Sequence, residues 1–138
     1  MKKNSGFTLI ELLVVLVILG LLASLAGPRI IGYLGRSKVQ VAHLQIEQLA
    51  QSLDLFQIDA GRYPTTEEGL LALVQAPSGA AGWQGPYLKK GVVPKDPWGR
   101  DYAYRSPGEH GPYDLYSLGA DGQEGGEGEA ADITNWKE

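Results

Sequence analysis

Three residues near the start of the chain have types and a spacing that could serve processing and assembly. In the sequence GFTLIELLVVLVILG, Gly6 precedes an apolar run and Glu11 lies inside it. The run covers residues 7–26, in which 16 of 20 residues are apolar. A small residue before the run, rather than after it, is atypical of an ordinary secretory signal. We therefore predict a six-residue leader that is cut between Gly6 and Phe7, which creates a new amine on Phe7.

Glu11 lies four residues after Phe7, one helical turn on and on the same face of a helix. A lone carboxylate in lipid is costly, whereas a carboxylate beside an ammonium group costs much less. If the helices of neighbouring copies stack with a stagger, Glu11 of one copy can neutralise the Phe7 amine of the next. Glu11 would then set the register between neighbouring copies during assembly. The simpler alternative is a plain membrane anchor with Lys2 and Lys3 inside.

An acidic segment near the C-terminus, LGADGQEGGEGEAADITNW, is the second candidate site. Its acids are Asp121, Glu124, Glu127, Glu129 and Asp132, with five glycines between 119 and 128. Carboxylate oxygens, and carbonyls that glycine lets the backbone turn inward, suit Ca²⁺, although the spacing is not that of an EF-hand. A disordered acidic tail is the alternative that composition leaves open. A structural ion is favoured because no disulfide can hold so long a loop in a chain without cysteine.

A long N-terminal helix must position the first group of residues. The apolar run is long enough to cross a bilayer core at ~1.5 Å per residue. Beyond it, apolar residues recur at spacings of three and four: Val39, Ala42, Ile46, Leu49, Leu53 and Phe56. This stripe predicts a stalk helix that buries one face. Pro28 removes a backbone donor, so we expect a kink, a melted stretch at 27–35 or a break between two helices.

The rest of the chain reads as a small globular part with a short helix and a hairpin. Thr65 and Glu68 match a capping box ahead of a helix whose apolar face would be Leu70, Leu71 and Val74. A turn at 96–99, a strand at 101–105 and a second strand in YDLYSLG predict an antiparallel hairpin. Five aromatic residues are predicted to pack this sheet against the stalk rather than to bind a ligand. They are Trp98, Tyr102, Tyr104, Tyr113 and Tyr116.

Composition limits the functions that the chain can have. A net charge of −4 and a pI of about 5.2 argue against a nucleic-acid partner. The chain has no cysteine and two histidines, so thiol chemistry and a His-rich metal centre are excluded. It also has neither a phosphate-cradling glycine motif nor a nucleophile elbow. We therefore predict that the protein is not an enzyme.

The segment GFTLIELLVVLVILGLLASLAGP resembles the class III signal of type IV pilins and type II secretion pseudopilins. The resemblance implies cleavage after Gly6 and N-methylation of Phe7 by a prepilin peptidase, and it makes Glu11 the assembly residue. The segments GRYPTTEEGLLALV, DPWGRDYAYRSPGEHGPYDLYSLGADG and ADITNW are similar to the major pseudopilins of type II secretion.

A pilin-like α+β fold is implied, with a long N-terminal helix packed on a small antiparallel sheet and a C-terminal calcium loop. Its parts would be a leader (1–6), a transmembrane and assembly helix (7–27), an amphipathic stalk helix (28–60) and a periplasmic globular domain (61–138). The acidic loop of that domain would span 118–135.

The resemblance also implies which residues of the loop bind the calcium ion. Asp121 would be a side-chain ligand, and Leu118 and Gln123 would contribute backbone carbonyls. The second acid stays open among Glu129, Asp132 and Glu127.

The function that the resemblance implies is structural. The chain would be a single-pass inner-membrane protein, with a cytoplasmic N-terminus, that polymerises into the periplasmic pseudopilus and drives export of folded proteins across the outer membrane. Implied partners are copies of itself, minor pseudopilins, the prepilin peptidase, an inner-membrane assembly platform, an outer-membrane secretin and the secreted exoproteins. Two alternatives remain: a type IV pilus major pilin for adhesion or motility, and a membrane-tethered binding domain that would not need Glu11.

Overall fold

The structure, a computed structural model, describes residues 6–137. Apart from Gly6, the predicted leader 1–6 therefore lies outside the described residues. The chain forms two compact units, with the division between Gly35 and Arg36. The elements in chain order are α1 (Leu9–Ala60), a 3₁₀ turn (Leu70–Leu73), β1 (Ala103–Arg105), β2 (Asp114–Ser117), a second 3₁₀ turn (Gly128–Ala130) and β3 (Ile133–Thr134).

Helix α1 includes Pro28 and the residues on both sides of it. The predicted break or melted stretch at 27–35 is therefore wrong. A single proline removes one hydrogen bond of the helix and leaves the bonds of the turns before and after it intact. A kink at Pro28 stays a prediction.

The stalk stripe forms the helical side of the core in the second unit. Its members Ala42, Ile46, Leu49, Leu53 and Phe56 are buried, and Val39 is half-buried. They pack with Leu73, Tyr102, Leu115 and Ile133 from the globular part. The buried face predicted from the spacing is confirmed, and each buried Leu or Phe contributes ~1.5–3 kcal/mol.

The capping box is confirmed, but the helix that it starts is shorter than predicted. The Thr65 backbone N–H donates to Glu68 Oε1 (3.1 Å), and the Glu68 N–H donates to Thr65 Oγ1 (3.2 Å). Gly69, at φ 61°, ends this first turn, and a four-residue 3₁₀ turn follows. Residues three apart share a face in a 3₁₀ turn, so Leu70 and Leu73 are buried. The prediction for Leu71 is wrong, because its side chain is 54% exposed.

The antiparallel hairpin is confirmed, and a third strand joins it. Tyr104 of β1 pairs with Leu115 of β2, while Tyr116 of β2 pairs with Thr134 of β3. The sheet order is therefore β1–β2–β3. Strand β1 is shorter than predicted, because Asp101 instead closes the preceding turn by an isolated bridge to Lys95.

The aromatic side chains mostly have the packing role predicted for them. Tyr102 and Tyr113 are buried in the core, and the Tyr102 hydroxyl donates to the Gln45 side-chain oxygen on the stalk helix. The Tyr104 hydroxyl donates to the Pro64 carbonyl (2.7 Å). Tyr116 differs, since its ring packs edge-on against Trp136 near the chain end. These contacts leave the rings as parts of the fold rather than as the walls of a ligand site.

Candidate functional site: the assembly segment and the acidic loop

The predicted processing site lies immediately before the start of α1. Gly6, Phe7 and Thr8 precede the helix, and the Phe7 side chain is 84% exposed. Thr8 caps the helix, because its hydroxyl accepts a hydrogen bond from the Glu11 backbone N–H (3.2 Å). This cap was not predicted from the sequence, although the pattern T-x-x-E at 8–11 is typical of one.

Glu11 lies in the first turn of α1 and is exposed. A carboxylate in the first turn lies near the positive end of the helix dipole. The helix start therefore presents an anion one turn beyond the predicted cut. A cation supplied from outside this segment would complete the charge pair.

The apolar segment that follows offers its side chains on every side of the helix. The large apolar residues from Leu9 to Leu25 are each 50–80% exposed. By length and composition the helix can cross a membrane. So much apolar surface requires lipid or other apolar helices around it.

The acidic loop connects two paired strands. It leaves β2 at Ser117 and enters β3 at Ile133, and these two residues are partners in the sheet. Inside the loop, the Ala120 N–H donates to the Glu129 carbonyl (3.0 Å). The loop is therefore ordered, and the paired strands close its base. This contradicts the alternative of a disordered acidic tail.

A buried aspartate outside the loop holds its first residues in place. Asp96 is 4% exposed and accepts hydrogen bonds from the backbone N–H groups of Trp98 (3.0 Å) and Arg100 (2.9 Å). Its other oxygen accepts from the Ser117 hydroxyl (2.7 Å), and that hydroxyl oxygen accepts from the Gly119 N–H (3.2 Å). These hydrogen bonds connect the turn DPWGR to the start of the loop, a contact that was not predicted from the sequence.

Arg100 completes this support from the same turn. Its guanidinium donates to the Gly119 carbonyl (2.9 Å). Gly122 allows this approach, because a Cβ there would lie 2.6 Å from the guanidinium carbon. Residue 122 also has a φ of 65°, so any other residue would be strained there, and its Cβ would displace the Arg100 guanidinium.

The predicted metal ligands are distributed unevenly around the loop. Asp121 is exposed, and its Oδ1 accepts from the Gln123 N–H (3.0 Å). Asp132 is half-buried, and its Oδ2 accepts from the Gly125 N–H (3.0 Å). The second oxygen, Asp132 Oδ1, is buried and has no hydrogen-bond partner within residues 6–137.

The remaining predicted ligands are less buried than the Asp132 oxygen. Leu118 is half-buried, and the side chains of Gln123, Glu127 and Glu129 are exposed. Within the described part of the chain, no three His, Cys, Asp or Glu side chains form a metal-binding group. The arrangement supplies one buried carboxylate oxygen in a loop that is anchored by two strands. The other ligands of a metal ion would have to be backbone carbonyls and at most one further acid.

A second charged centre lies at the opposite end of strand β2, at its first residue, Asp114. Asp114 is fully buried, and its carboxylate accepts from the Arg105 guanidinium (2.8 Å) and from the backbone N–H groups of Glu109 and His110. Burial raises the pKa of Asp114, but these donors outweigh it and hold the pKa at about 2. The His110 ring also stacks on Trp136, with 4.1 Å between ring centroids. The centre fixes the hairpin connection and the chain end.

Comparisons with known proteins agree with this geometry. Residues 1–27 match the prokaryotic N-terminal methylation motif, and residues 29–136 match the family described as type II secretion system (T2SS), protein G. The chain is 49% identical to the type II secretion system core protein G of Vibrio cholerae, over 99% of this chain and 94% of that protein. It is 50% identical to the core protein G of Pseudomonas aeruginosa, over 98% and 96%.

A solved structure shows the same fold. It is the major pseudopilin from the type 2 secretion system of enterohaemorrhagic Escherichia coli, with a TM-score of 0.65 and 34% identity, covering 77% of this chain and 92% of that one. The fold and the capped apolar helix thus define a pilin-like fibre subunit. The chain belongs to the protein G family of the type II secretion system, the major pseudopilins.

It is therefore a structural subunit of the pseudopilus of that system, and the alternatives of a surface pilin and a tethered binding domain are set aside.

Proposed function

We propose that the chain is cut after Gly6 and polymerises through its apolar segment, with Glu11 of one copy neutralising the Phe7 amine of the next. Growth of the fibre would push folded proteins through an outer-membrane channel. The observation that carries the proposal is the exposure of every large apolar side chain from Leu9 to Leu25 behind a single exposed carboxylate. Such a surface is unstable in water, and a charge in it needs a partner.

The same segment accounts for the location that we propose. Before assembly the apolar helix would hold the chain in the inner membrane, with the N-terminus in the cytoplasm and the globular domain in the periplasm. Assembly would involve the prepilin peptidase, an inner-membrane platform, minor pseudopilins and the outer-membrane secretin. Membership of the protein G family supports these partners as a group.

We also propose that the acidic loop binds a structural Ca²⁺ ion. The support is Asp132 Oδ1, a buried carboxylate oxygen without a partner in the described chain. A buried anionic oxygen is costly unless a cation or a donor meets it, and a hard carboxylate oxygen suits Ca²⁺. Asp132 would be the second acid beside Asp121, while Leu118 and Gln123 would offer carbonyl oxygens. Glu127 and Glu129, being exposed, are the weaker candidates.

The test of the polymerisation proposal is the Glu11→Ala chain, expressed with the rest of its secretion system. Removing the carboxylate leaves the residues at the cut unchanged, so cleavage after Gly6 should be normal by N-terminal sequencing. Fibres recovered by shearing should be strongly reduced, because the Phe7 amine has lost its partner. Normal fibre yield would contradict the charge-pairing step.

A matched control separates charge from packing. Glu11→Gln keeps nearly the same size and loses the charge, so it should assemble as poorly as Glu11→Ala. Recovery of assembly by Glu11→Gln would show that shape, rather than charge, is what position 11 supplies.

A further inference from the structure

The backbone at Gly119, near the base of the acidic loop, has contacts on three sides. Its N–H donates to the Ser117 hydroxyl (3.2 Å), and its carbonyl accepts from the Arg100 guanidinium (2.9 Å). A Cβ at this position would lie 2.6 Å from the Ala131 carbonyl oxygen, and the φ of 71° also requires glycine. Gly119 is buried. Side chains that precede the loop in the sequence therefore hold its first residues.

The first of these hydrogen bonds sets the direction of the Leu118 carbonyl. A peptide group is planar and trans, so the Leu118 C=O points away from the Gly119 N–H of the same group. Because the N–H is directed at Ser117 Oγ, the carbonyl oxygen is directed to the opposite side of the chain. The Ser117 hydroxyl is itself fixed, since it donates to Asp96 Oδ2 (2.7 Å), and Asp96 is buried. The orientation of one predicted calcium ligand thus depends on a buried aspartate 22 positions earlier in the chain.

The second hydrogen bond fixes the next peptide group. Arg100 donates to the Gly119 carbonyl, and the Ala120 N–H of the same group donates to the Glu129 carbonyl (3.0 Å). This peptide group is bonded on both sides and lies just before Asp121. The Arg100 bond goes to a backbone carbonyl and not to a carboxylate of the loop, so it fixes the backbone rather than pairing with an acid.

We propose that Ser117 and Arg100, with Asp96 behind Ser117, are positioning residues of the calcium loop. They hold the Leu118 carbonyl and the backbone before Asp121 in place before the ion binds. The inference rests on the calcium proposal above. The three side chains act through the backbone and are not themselves ligands. Residues that orient a metal ligand typically change metal affinity by ~10–100-fold when they are substituted.

The test measures the Kd of Ca²⁺ by calorimetric titration of the full chain in detergent. Ser117→Ala removes the hydroxyl that orients the Gly119 N–H, and Arg100→Met removes the donor to the Gly119 carbonyl. Each substitution should raise the Kd by ~10–100-fold. An unchanged Kd in both variants would overturn the proposal. A lower Kd in Arg100→Met would also overturn it, because the guanidinium would then act by repelling the ion.

Matched controls separate positioning from packing and from charge. Ser52→Ala removes another buried serine hydroxyl, whose hydrogen bonds go to two backbone carbonyls outside the loop. Lys95→Met removes one positive charge beside the same turn as Arg100, and the Lys95 ammonium group donates to Asp101 rather than to the loop. Both controls should keep the Kd of the unmodified chain. An equal rise in the controls would contradict a specific role of Ser117 and Arg100.

Melting temperatures distinguish positioning from a purely structural role. A residue that only stabilised the fold would, when substituted, lower the melting temperature equally with Ca²⁺ and with excess chelator. Ser117→Ala should instead lower it more with Ca²⁺, because weaker binding reduces the stabilisation that the ion provides. Equal losses in the two conditions would contradict the positioning role.

The unmodified chain keeps this proposal and the calcium proposal apart. If it binds Ca²⁺ and both variants bind equally well, the positioning role is contradicted and the calcium site stands. If it binds no Ca²⁺, the calcium site is contradicted, and the positioning of its ligands with it.

Discussion

The two carboxylate oxygens of Asp132 have different environments in the acidic loop. One of its oxygens orders the loop by accepting from the Gly125 N–H, and the other is buried without a donor in the described chain. Exposed acids of the same loop stay hydrated, so their substitution should change the stability of the folded chain little. This contrast makes the calcium proposal testable by single substitutions.

We expect Ca²⁺ to raise the melting temperature of the full chain in detergent, and excess chelator to lower it. A ligand at a hundredfold excess over its Kd stabilises by ~2.7 kcal/mol, which is ten degrees or more for a domain of ~100 residues. Asp132→Ala should abolish this shift, and Asp121→Ala should reduce it. Glu124→Ala, an exposed acid in the same loop, is the matched control and should keep it. Equal shifts in Asp132→Ala and Glu124→Ala would contradict the assignment.

Asp114 predicts an acid-dependent stability. Its pKa in the folded chain is about 2, below the ordinary value of 3.8. A lowered pKa means that the folded state favours the carboxylate, so this contribution is present above pH ~4 and is lost as the pH falls toward 2. Melting temperatures measured between pH 5 and pH 2 should therefore fall more steeply for the unmodified chain than for Asp114→Asn. Parallel curves would show that Asp114 does not contribute to the acid sensitivity.

At the scale of the elements, the C-terminal half of helix α1 has one buried side and one exposed side. Leu53 is completely buried against the globular part, while Leu55, two residues on, is 51% exposed. Both residues are leucines in the same helix, so they differ only in their surroundings. The pair thus separates the contribution of the buried side of the stalk to folding from that of its exposed side.

Leu53→Ala should destabilise the subunit by ~2–5 kcal/mol, because the substitution removes buried methyl groups and leaves a cavity. Leu55→Ala should change the free energy of unfolding by less than ~0.5 kcal/mol, as surface substitutions usually do. Chemical denaturation of both variants measures the difference. Similar losses from both would mean that the exposed side of the stalk also stabilises the fold.

At the scale of the whole molecule, the described core lies in the unit from Arg36 onward. The core residues run from Ala42 to Ile133, and all three strands belong to this unit. The first unit contributes an exposed apolar helix instead. The described core and the apolar segment proposed for assembly therefore lie in different units of the chain.

A fragment that begins at Arg36 should be soluble and should unfold in a single cooperative transition, because it keeps the whole described core. Circular dichroism and tryptophan fluorescence should report coincident melting curves. It should not form fibres even when added to growing ones, since it lacks the Phe7 amine, Glu11 and the apolar segment. Separate transitions for helix and aromatic signals would show that the first unit is needed for folding.

Local patterns in the sequence determined several elements of this protein. The spacing of Ala42 to Phe56 gave the buried helix face, Thr65 and Glu68 gave the capping box, and the apolar run from Phe7 gave the membrane-grade segment. Each of these depends on residues a few positions apart, so the physics that selects them acts within one element. The resemblance to pseudopilins rests on the same local segments.

Contacts between distant residues decided the rest. The support of the acidic loop comes from Asp96 and Arg100, about 20 residues earlier in the chain. The pairing of β3 with β2 sets the base of the loop, and the burial of Asp132 Oδ1 distinguishes that acid from Glu127 and Glu129. No periodicity encodes such contacts, because they depend on which segments the folded chain brings together. The sequence therefore determined that an acidic loop exists, and the tertiary structure decided which of its carboxylates is buried.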